Sequence, residues 1–488
     1  MMNNALLNYP SMIFLVLYLV SLIGVGILGK QKSKENTLND FYLGGKSFGV
    51  GILFLTLYAT QYSGNNLIGF AGSAYRNGWF FLVGMTLMLS VIGGYMLYAP
   101  KLFRLSQKND FITVGDFITF RYQSKCLTTI VVIICLTVLA GYILSNLKAI
   151  GYIMDYATGG QISFAQGILS MALIMVIYET LGGMRSVAWT DAIQGILLLV
   201  TILIIFTVIW TQYGSVLDNQ TVLESTKKQF FKTPTMTDIK SWVGTLIMVC
   251  FGAAVYPQAI QRIYAAKSKK TLQRSLQLML VMPFLTTLPI IIIAIIGAAH
   301  FPDLDKVTSD EIILLMLSKL NHIAGMQYII TLFVAAAIAA IMSTVDSAML
   351  AIASLFTQDI YQAYRPKTSQ RKLIYMGKIF TWVLIAIMAG LAIYLPVTLW
   401  WLIQLKLEIL CQIAPAVMLG LHLKQLKASS VLYGLTVGVS FTLMYMFTPS
   451  LNQPFGLPAG VVGLLLNTLV VNLHHKFIHR YRMEKEQT

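Results

Sequence analysis

Apolar stretches of about 20 residues, the length a helix needs to cross the hydrocarbon layer of a bilayer, follow one another along this chain. They fall at 9–29, 48–73, 79–100, 127–153, 163–180, 188–212, 242–262, 276–299, 327–357, 374–395, 398–421, 429–448 and 457–475. None shows the strict alternation of barrel strands of roughly ten residues. The pattern predicts an all-α polytopic membrane protein with about thirteen transmembrane helices. The stretches between them are too short for an added soluble domain, so residues 1–488 read as a single transmembrane domain.

Two of the apolar segments are interrupted. Phe54–Ser73 carries the polar run Thr60-Gln61-Tyr62-Ser63-Gly64-Asn65-Asn66 at its centre. Unpaired backbone is costly in hydrocarbon, so such a run survives only where it faces protein or a water-filled cavity. In the seventh segment, Gly252-Ala253-Ala254-Val255-Tyr256-Pro257-Gln258 breaks the helix, because Pro257 lacks an N–H and clashes one turn back. The two segments enter the membrane from opposite sides and each opens a block of five helices. That arrangement predicts two inverted five-helix repeats, about 48–212 and 242–421, preceded by span one at 9–29 and followed by two spans over 429–475. A kinked helix without a functional role is the alternative for the second break.

Composition agrees: 57% of the 488 residues are hydrophobic, 11% are charged, and the mean hydropathy is +0.72. A net charge of +16 in a soluble chain would suggest nucleic acid; here its placement matters more. Most lysines and arginines fall in alternate loops, among them Lys101/Arg104/Lys108, Arg262/Lys267/Lys269/Lys270/Arg274, Arg365/Lys367/Arg371/Lys372 and the tail after Lys476. The positive-inside rule then places the N-terminus outside and the C-terminus in the cytoplasm of a bacterial plasma membrane. The 213–240 loop, with Lys227, Lys228, Lys232 and Lys240, is a basic exception on the outer side and reads as solvated. Met12–Leu28 has neither a basic run before it nor a cleavage site, so it reads as a retained helix. Cys126, Cys135, Cys250 and Cys411 have no paired spacing and read as small core residues.

Candidate chemistry lies in three spans. In the ninth, Ala340, Ser343, Thr344 and Ser347 share one helical face, presenting a carbonyl and three hydroxyls. Oxygen donors of this kind suit a hard monovalent cation and not zinc or copper. Alternatively, the hydroxyls bond back to carbonyls one turn earlier. Asp191 lies just inside the sixth span, where an ionisable group needs a partner: an ion, the hydroxyls of the ninth span, or Arg185 at the cytoplasmic surface. Lys148 in the fourth span needs one too, either a solute carboxylate or a path outward. Lys406 and Glu408 are two residues apart, do not face each other on a helix, and read as structural. Gly44-Gly45-Lys46-Ser47 lacks the first glycine of a phosphate loop, and His475/His479 have no carboxylates beside them, so neither reads as a site.

The segments GGMRSVAWTDAIQ, QAIQRIYAAKS (Gln258–Ser268), AAIMSTVDSAML (Ala339–Leu350) and SGNNLIGFAG together resemble the sodium/solute symporter family, in order and over nearly the whole chain. The resemblance implies the leucine-transporter-type fold and coupling to Na+. It implies a sodium site built from the carbonyls of Ala59, Tyr62 and Ala340 and the side-chain oxygens of Ser343 and Thr344. A second sodium, as in some members, would fall on Asp191, Asp346 and Ser347. Gln61 stands where proline carriers have an aspartate, and Met85 aligns with a glutamate of sugar carriers. SGNNLIGFAGSAYRNGW looks more like the pantothenate and monocarboxylate branch, while Ser430-Val431 replaces the family's Gly-Ala after span eleven.

The expected function is sodium-coupled import of a small organic solute by alternating access, with no bond made or broken and hence no enzymatic activity. The solute is a carboxylate such as pantothenate or a monocarboxylate, or an amino acid such as proline. It is expected to meet Gln61, Ser63, Asn66 and Phe70, with Tyr142, Lys148 and Gly252 as the opposite wall. The alternatives are a sugar- or sialic-acid-type sodium symporter, or a sensor or sodium channel on the same fold. The expected partners are the solute, sodium ions and the lipid bilayer, with no nucleic acid and with the monomer as the functional unit.

Overall fold

The computed structural model describes residues 6–32, 37–306, 308–395, 399–448 and 456–487; the side chains of 65, 66, 399–401, 403, 404 and 479–487 lie outside that description. The described residues are almost entirely helical, and their one extended contact is an isolated bridge between Phe48 and Ala266. We number the helices that concern the site α1 (Tyr9–Gln31), α2 (Val50–Gln61), α3 (Gly64–Asn77), α4 (Val83–Asn109), α5 (Lys125–Ala157), α6 (Phe164–Tyr213), α7 (Met236–Gly252), α8 (Pro257–Ala265), α9 (Leu288–His300), α10 (Met326–Leu355), α11 (Gln370–Tyr394), α12 (Leu399–Leu410), α13 (Ala428–Phe447) and α14 (Ala459–Gln487).

Among the described residues, eleven helical stretches are long and apolar enough to cross a membrane, against the thirteen segments expected. The difference arises in Leu67–Asn109 and Phe164–Tyr213, each of which continues through a glycine of positive φ. Gly78 (φ 56°) follows α3, and Gly183 (φ 56°, ψ −143°) lies within α6. A Cβ at Gly183 would press on the backbone oxygen and ring of Phe41, so glycine is required there for both conformation and space.

Helix starts follow local chemistry. Asn8 caps α1, accepting from the Ser11 N–H at 3.0 Å, and Ser163 with Gln166 forms a capping box at the start of α6. Burial sorts the helices into layers. In the most apolar window of α10, 83% of residues are buried, against 28% in α1, so α10 is the central post and α1 faces lipid. The alanine-rich stretch Ala335–Ala340 allows close approach to α10, as small residues do in membrane bundles. α1 packs on α6 in the same way: Gly26 lies against Tyr178 and Gly29 against Ser186.

Both expected interruptions are real breaks. α2 ends at Gln61 and α3 starts at Gly64, with Tyr62 (φ −98°, ψ 82°) and Ser63 (φ −83°, ψ 173°) between them. α7 ends at Gly252, a short 3-10 turn covers Ala253–Val255, and Tyr256 is extended (ψ 130°). Pro257 is the first residue of α8, a position where its missing N–H leaves nothing unpaired. The distal ends of the broken pair are joined by main chain: Phe48 N–H donates to Ala265 O at 3.3 Å and Lys267 N–H donates to Phe48 O at 3.0 Å.

Two expectations about basic residues are corrected. Arg262 belongs to no loop: it lies in α8 and is completely buried. Lys227 is not solvated either, because its ammonium donates to Pro302 O at 2.5 Å and sits 4.5 Å from the Tyr75 ring centroid. Proximity to these partners outweighs the hydration expected of a loop lysine.

Gly183→Ala should destabilise the protein by about 1–3 kcal/mol, the usual range for a forced strained backbone. Gly24→Ala, which has open space around it, should leave the melting temperature in detergent unchanged. Equal melting temperatures for both variants would contradict the packing described at Gly183.

Candidate functional site

A helix that stops inside a membrane leaves carbonyls at its end without helical partners. At the end of α2, Tyr58 O accepts from the Tyr62 N–H at 2.9 Å, and Ala59 O accepts from the Ser343 hydroxyl of α10 at 3.1 Å. That hydroxyl also lies 3.0 Å from Ala340 O, which takes the Thr344 hydroxyl at 3.0 Å as well. Ala59, Ala340, Ser343 and Thr344 are therefore brought together as a buried oxygen cluster. The alternative of back-bonding hydroxyls is also present, since Ser343, Thr344 and Ser347 each bond to a carbonyl on their own helix. Ser343 differs in reaching across to α2. Tyr62 carries the break itself, and its carbonyl has no described bond to the other four.

One turn further along α10 lies a second cluster. Arg262 Nη2 meets Asp191 Oδ2 at 2.7 Å and Ser347 Oγ at 2.5 Å, and Arg262 Nε donates to Thr56 Oγ1 at 2.8 Å. Thr56 in turn donates to Asp191 Oδ2 at 2.5 Å, and Thr60 lies 3.3 Å from Ser347. Four helices, α2, α6, α8 and α10, thus converge on one buried guanidinium. Asp191 does not pair with Arg185, which bonds Asp40 at 2.7 Å instead. Asp346 points elsewhere and accepts from the Tyr178 hydroxyl. Among the described residues, Asp191 Oδ1 and Asp346 Oδ1 have no hydrogen-bond partner.

The sequence reading missed Arg262, Thr56 and Tyr178. Arg262 lies in the QAIQRIYAAKS segment, and its spacing of four from Gln258 puts both on one face of α8. That signal was available, but the charge pattern assigned Arg262 to a loop.

Of the expected solute-contact residues, some meet and some do not. Tyr142 of α5 stacks on Tyr256 with centroids 5.5 Å apart and planes at 9°, so it touches the second break. Thr344 and, in the first break, Ser63 are polar neighbours of its hydroxyl. A Cβ on Gly252 would lie 3.1 Å from Leu407 O, so glycine lets α7 approach α12 closely. Gln61 donates to the Tyr95 hydroxyl of α4. Phe70 faces Phe81 edge-on, 5.4 Å between centroids. Lys148 lies about 9 Å from Tyr142 along α5 at 1.5 Å per residue. It donates to Leu395 O at 2.5 Å, beyond the end of α11. The side chain of Asn66 lies outside the described residues.

The model of the sodium:solute symporter family matches residues 41–438. The chain is 27% identical over 478 residues to the sodium/pantothenate symporter of Haemophilus influenzae, covering 94% of this chain and 96% of that protein. It is 25% identical over 470 residues to the osmoregulated proline transporter OpuE of Bacillus subtilis, covering 94% and 92%. A solved substrate-bound, outward-open Na+-coupled sialic acid symporter superposes with a TM-score of 0.81 at 20% identity, over 96% of this chain and 98% of that one. The last likeness establishes the leucine-transporter-type fold.

Arg262→Met leaves Asp191 buried without its partner and should cost about 3–5 kcal/mol in stability. In thermal unfolding, the Asp191→Asn, Arg262→Gln double variant should lose less than the sum of the two single variants. Strict additivity would contradict a direct pair.

Proposed function

Because the chain belongs to the sodium:solute symporter family, we propose that this multi-pass membrane protein imports a small organic solute together with sodium by alternating access. The observation that carries the reading is the Ser343 hydroxyl, which stands between the Ala59 carbonyl near the end of α2 and the Ala340 carbonyl of α10. Oxygens so gathered, from two separate helices, form the donor set of a weakly held hard cation. Sodium coordinated by Ala59, Tyr62, Ala340, Ser343 and Thr344 would turn a hydrogen-bonded junction into an ionic one. Its binding energy then favours the arrangement in which α2 and α10 are in register, and its release into a low-sodium compartment lets them part.

A second sodium at Asp191, Asp346 and Ser347 belongs to the same proposal in a reduced form. Arg262 already occupies Asp191 Oδ2 and Ser347, so the oxygens available to an ion are Asp191 Oδ1 and Asp346 Oδ1. We further propose that the two repeats span about 48–212 and 242–421, that the glycines at 78 and 183 divide the helical stretches into thirteen spans, and that the monomer is the transport unit. The positive-inside distribution supports an outer N-terminus and a cytoplasmic C-terminus.

For the solute, the pantothenate and proline transporters among the relatives favour a small carboxylate or amino acid. Ser63, Tyr142 and Gly252 support a solute position between the two helix breaks, with Gln61 at its margin. Lys148, which donates to Leu395 O, and Phe70, which packs edge-on against Phe81, stay in the proposal as outer members of the solute wall.

In proteoliposomes, the protein should accumulate its solute only under an inward sodium gradient, and potassium should not substitute. Ser343→Ala and Thr344→Ala should each raise the sodium concentration for half-maximal uptake about tenfold or more, the loss of about 1.4 kcal/mol of binding. An unchanged half-saturation in both variants would place the ion elsewhere.

A further inference from the structure

Four basic side chains are buried among the described residues: Lys148, Lys227, Arg262 and Lys406. Three of them are met by oxygen. Lys148 donates to Leu395 O, Lys227 to Pro302 O, and Arg262 to Asp191, Ser347, Thr56 and its own Gln258 carbonyl. Lys406 of α12 differs. It is 6% exposed, and its ammonium lies 3.5 Å from the centroid of the Tyr142 ring. No described carboxylate, carbonyl or hydroxyl accepts a hydrogen bond from it. Glu408, the nearest acid along the helix, accepts from the Gly460 N–H at 3.2 Å and so is turned toward α14.

A ring face attracts a desolvated cation, but by less than the burial of an ammonium costs. An ammonium also carries three donors, and a ring face does not satisfy them as an oxygen does. The location of this unmet charge sets its meaning. The same Tyr142 that lies under the ammonium stacks on Tyr256 at the second helix break, and its hydroxyl neighbours Ser63 at the first. The next residue of α12, Leu407, presents its carbonyl to Gly252 at the end of α7. Lys406 therefore borders the space between the two breaks, where the transport reading puts the solute.

We infer that Lys406 is the anchor for a carboxylate of the transported solute, with Tyr142 as the shared wall between that carboxylate and the sodium ligands. The assignment rests on the symport reading and narrows its substrate class to small organic acids, zwitterionic amino acids included. It also gives the coupling a physical route. Tyr142 contacts the cation that holds the solute and, through Thr344, the oxygens that would hold sodium, so filling either position fixes the ring for the other. A neutral sugar offers Lys406 no charge of opposite sign and leaves the ammonium unpaired.

The test compares acids with uncharged counterparts on the purified full-length protein, by thermal shift in sodium chloride and in potassium chloride. The probes are pantothenate against panthenol and lactate against lactamide, with L-proline as a zwitterion. In sodium, at least one acid should stabilise the protein, and its neutral counterpart should need at least about tenfold more to do so. Lys406→Gln should weaken the acid about tenfold or more and bring acid and neutral probe together, Lys406→Arg should restore part of the difference, and the shift given by sodium alone should persist. The acid-against-neutral comparison uses the unmodified chain and holds even where a variant fails to fold. Neutral probes binding as well as their acids, no acid of the panel binding, or an acid affinity unchanged in Lys406→Gln overturns the assignment. Acids that bind through Lys406 with no dependence on sodium would instead overturn the symport reading and leave the anchor in place.

Discussion

Backbone polar groups inside a membrane must find partners within the protein, and this chain stops two helices in mid-span. Everything that distinguishes it from an inert bundle answers that constraint. The open end of α2 is closed by Ser343 of α10, and the 3-10 turn after α7 is closed by the Tyr98 hydroxyl of α4, which donates to Ala254 O. Tyr142 of α5 lies beside both breaks. Satisfying two helix ends thus obliges five helices to meet at one level. A polar site of moderate strength is the by-product.

The same breaks divide the structure into pieces that are tied separately. The start of α2 is clasped by main chain to the end of α8, and the far end of α3 is held by Arg76, which bonds Ser309 at 2.6 Å and Asp310 at 2.7 Å. Arg262 fastens α8 to α2, α6 and α10 through one guanidinium. Such a fork orients several oxygens at once, which a lysine there would do poorly. The rigid ties therefore lie at Arg262 and at the helix ends, while α2 meets α10 directly through two neutral contacts, Ser343 with Ala59 O and Thr60 with Ser347, of the kind worth about 1 kcal/mol each. That weak junction is the natural point for an ion to act.

Much of the fold was legible because its signals are local. Span length reads off one continuous segment, while the polar run Thr60–Asn66 and Pro257 act within a turn or two of helix, and the chain breaks beside them at Tyr62–Ser63 and Tyr256. The shared face of Ala340, Ser343 and Thr344 follows from helical spacing alone. What was not legible depends on neighbours. Charge patterning counts a lysine or arginine by its distance from a span end, so Arg262 was assigned to a loop although α8 carries it into the core. Lys148 and Lys406 both sit within spans. Which of them is satisfied depends on where α11 ends, since Leu395 O meets Lys148 and, among the described residues, no carbonyl meets Lys406. No periodicity in the sequence reports that.

The central claim is that sodium joins α2 to α10 across the first break, and hydrogen exchange of the purified protein in sodium against potassium measures it most directly. The account predicts slower exchange in sodium for the amides around Tyr62–Gly64 and along Ala340–Ser347, with α13, which contributes nothing to the site, unchanged. Equal exchange of both segments in the two salts would contradict it.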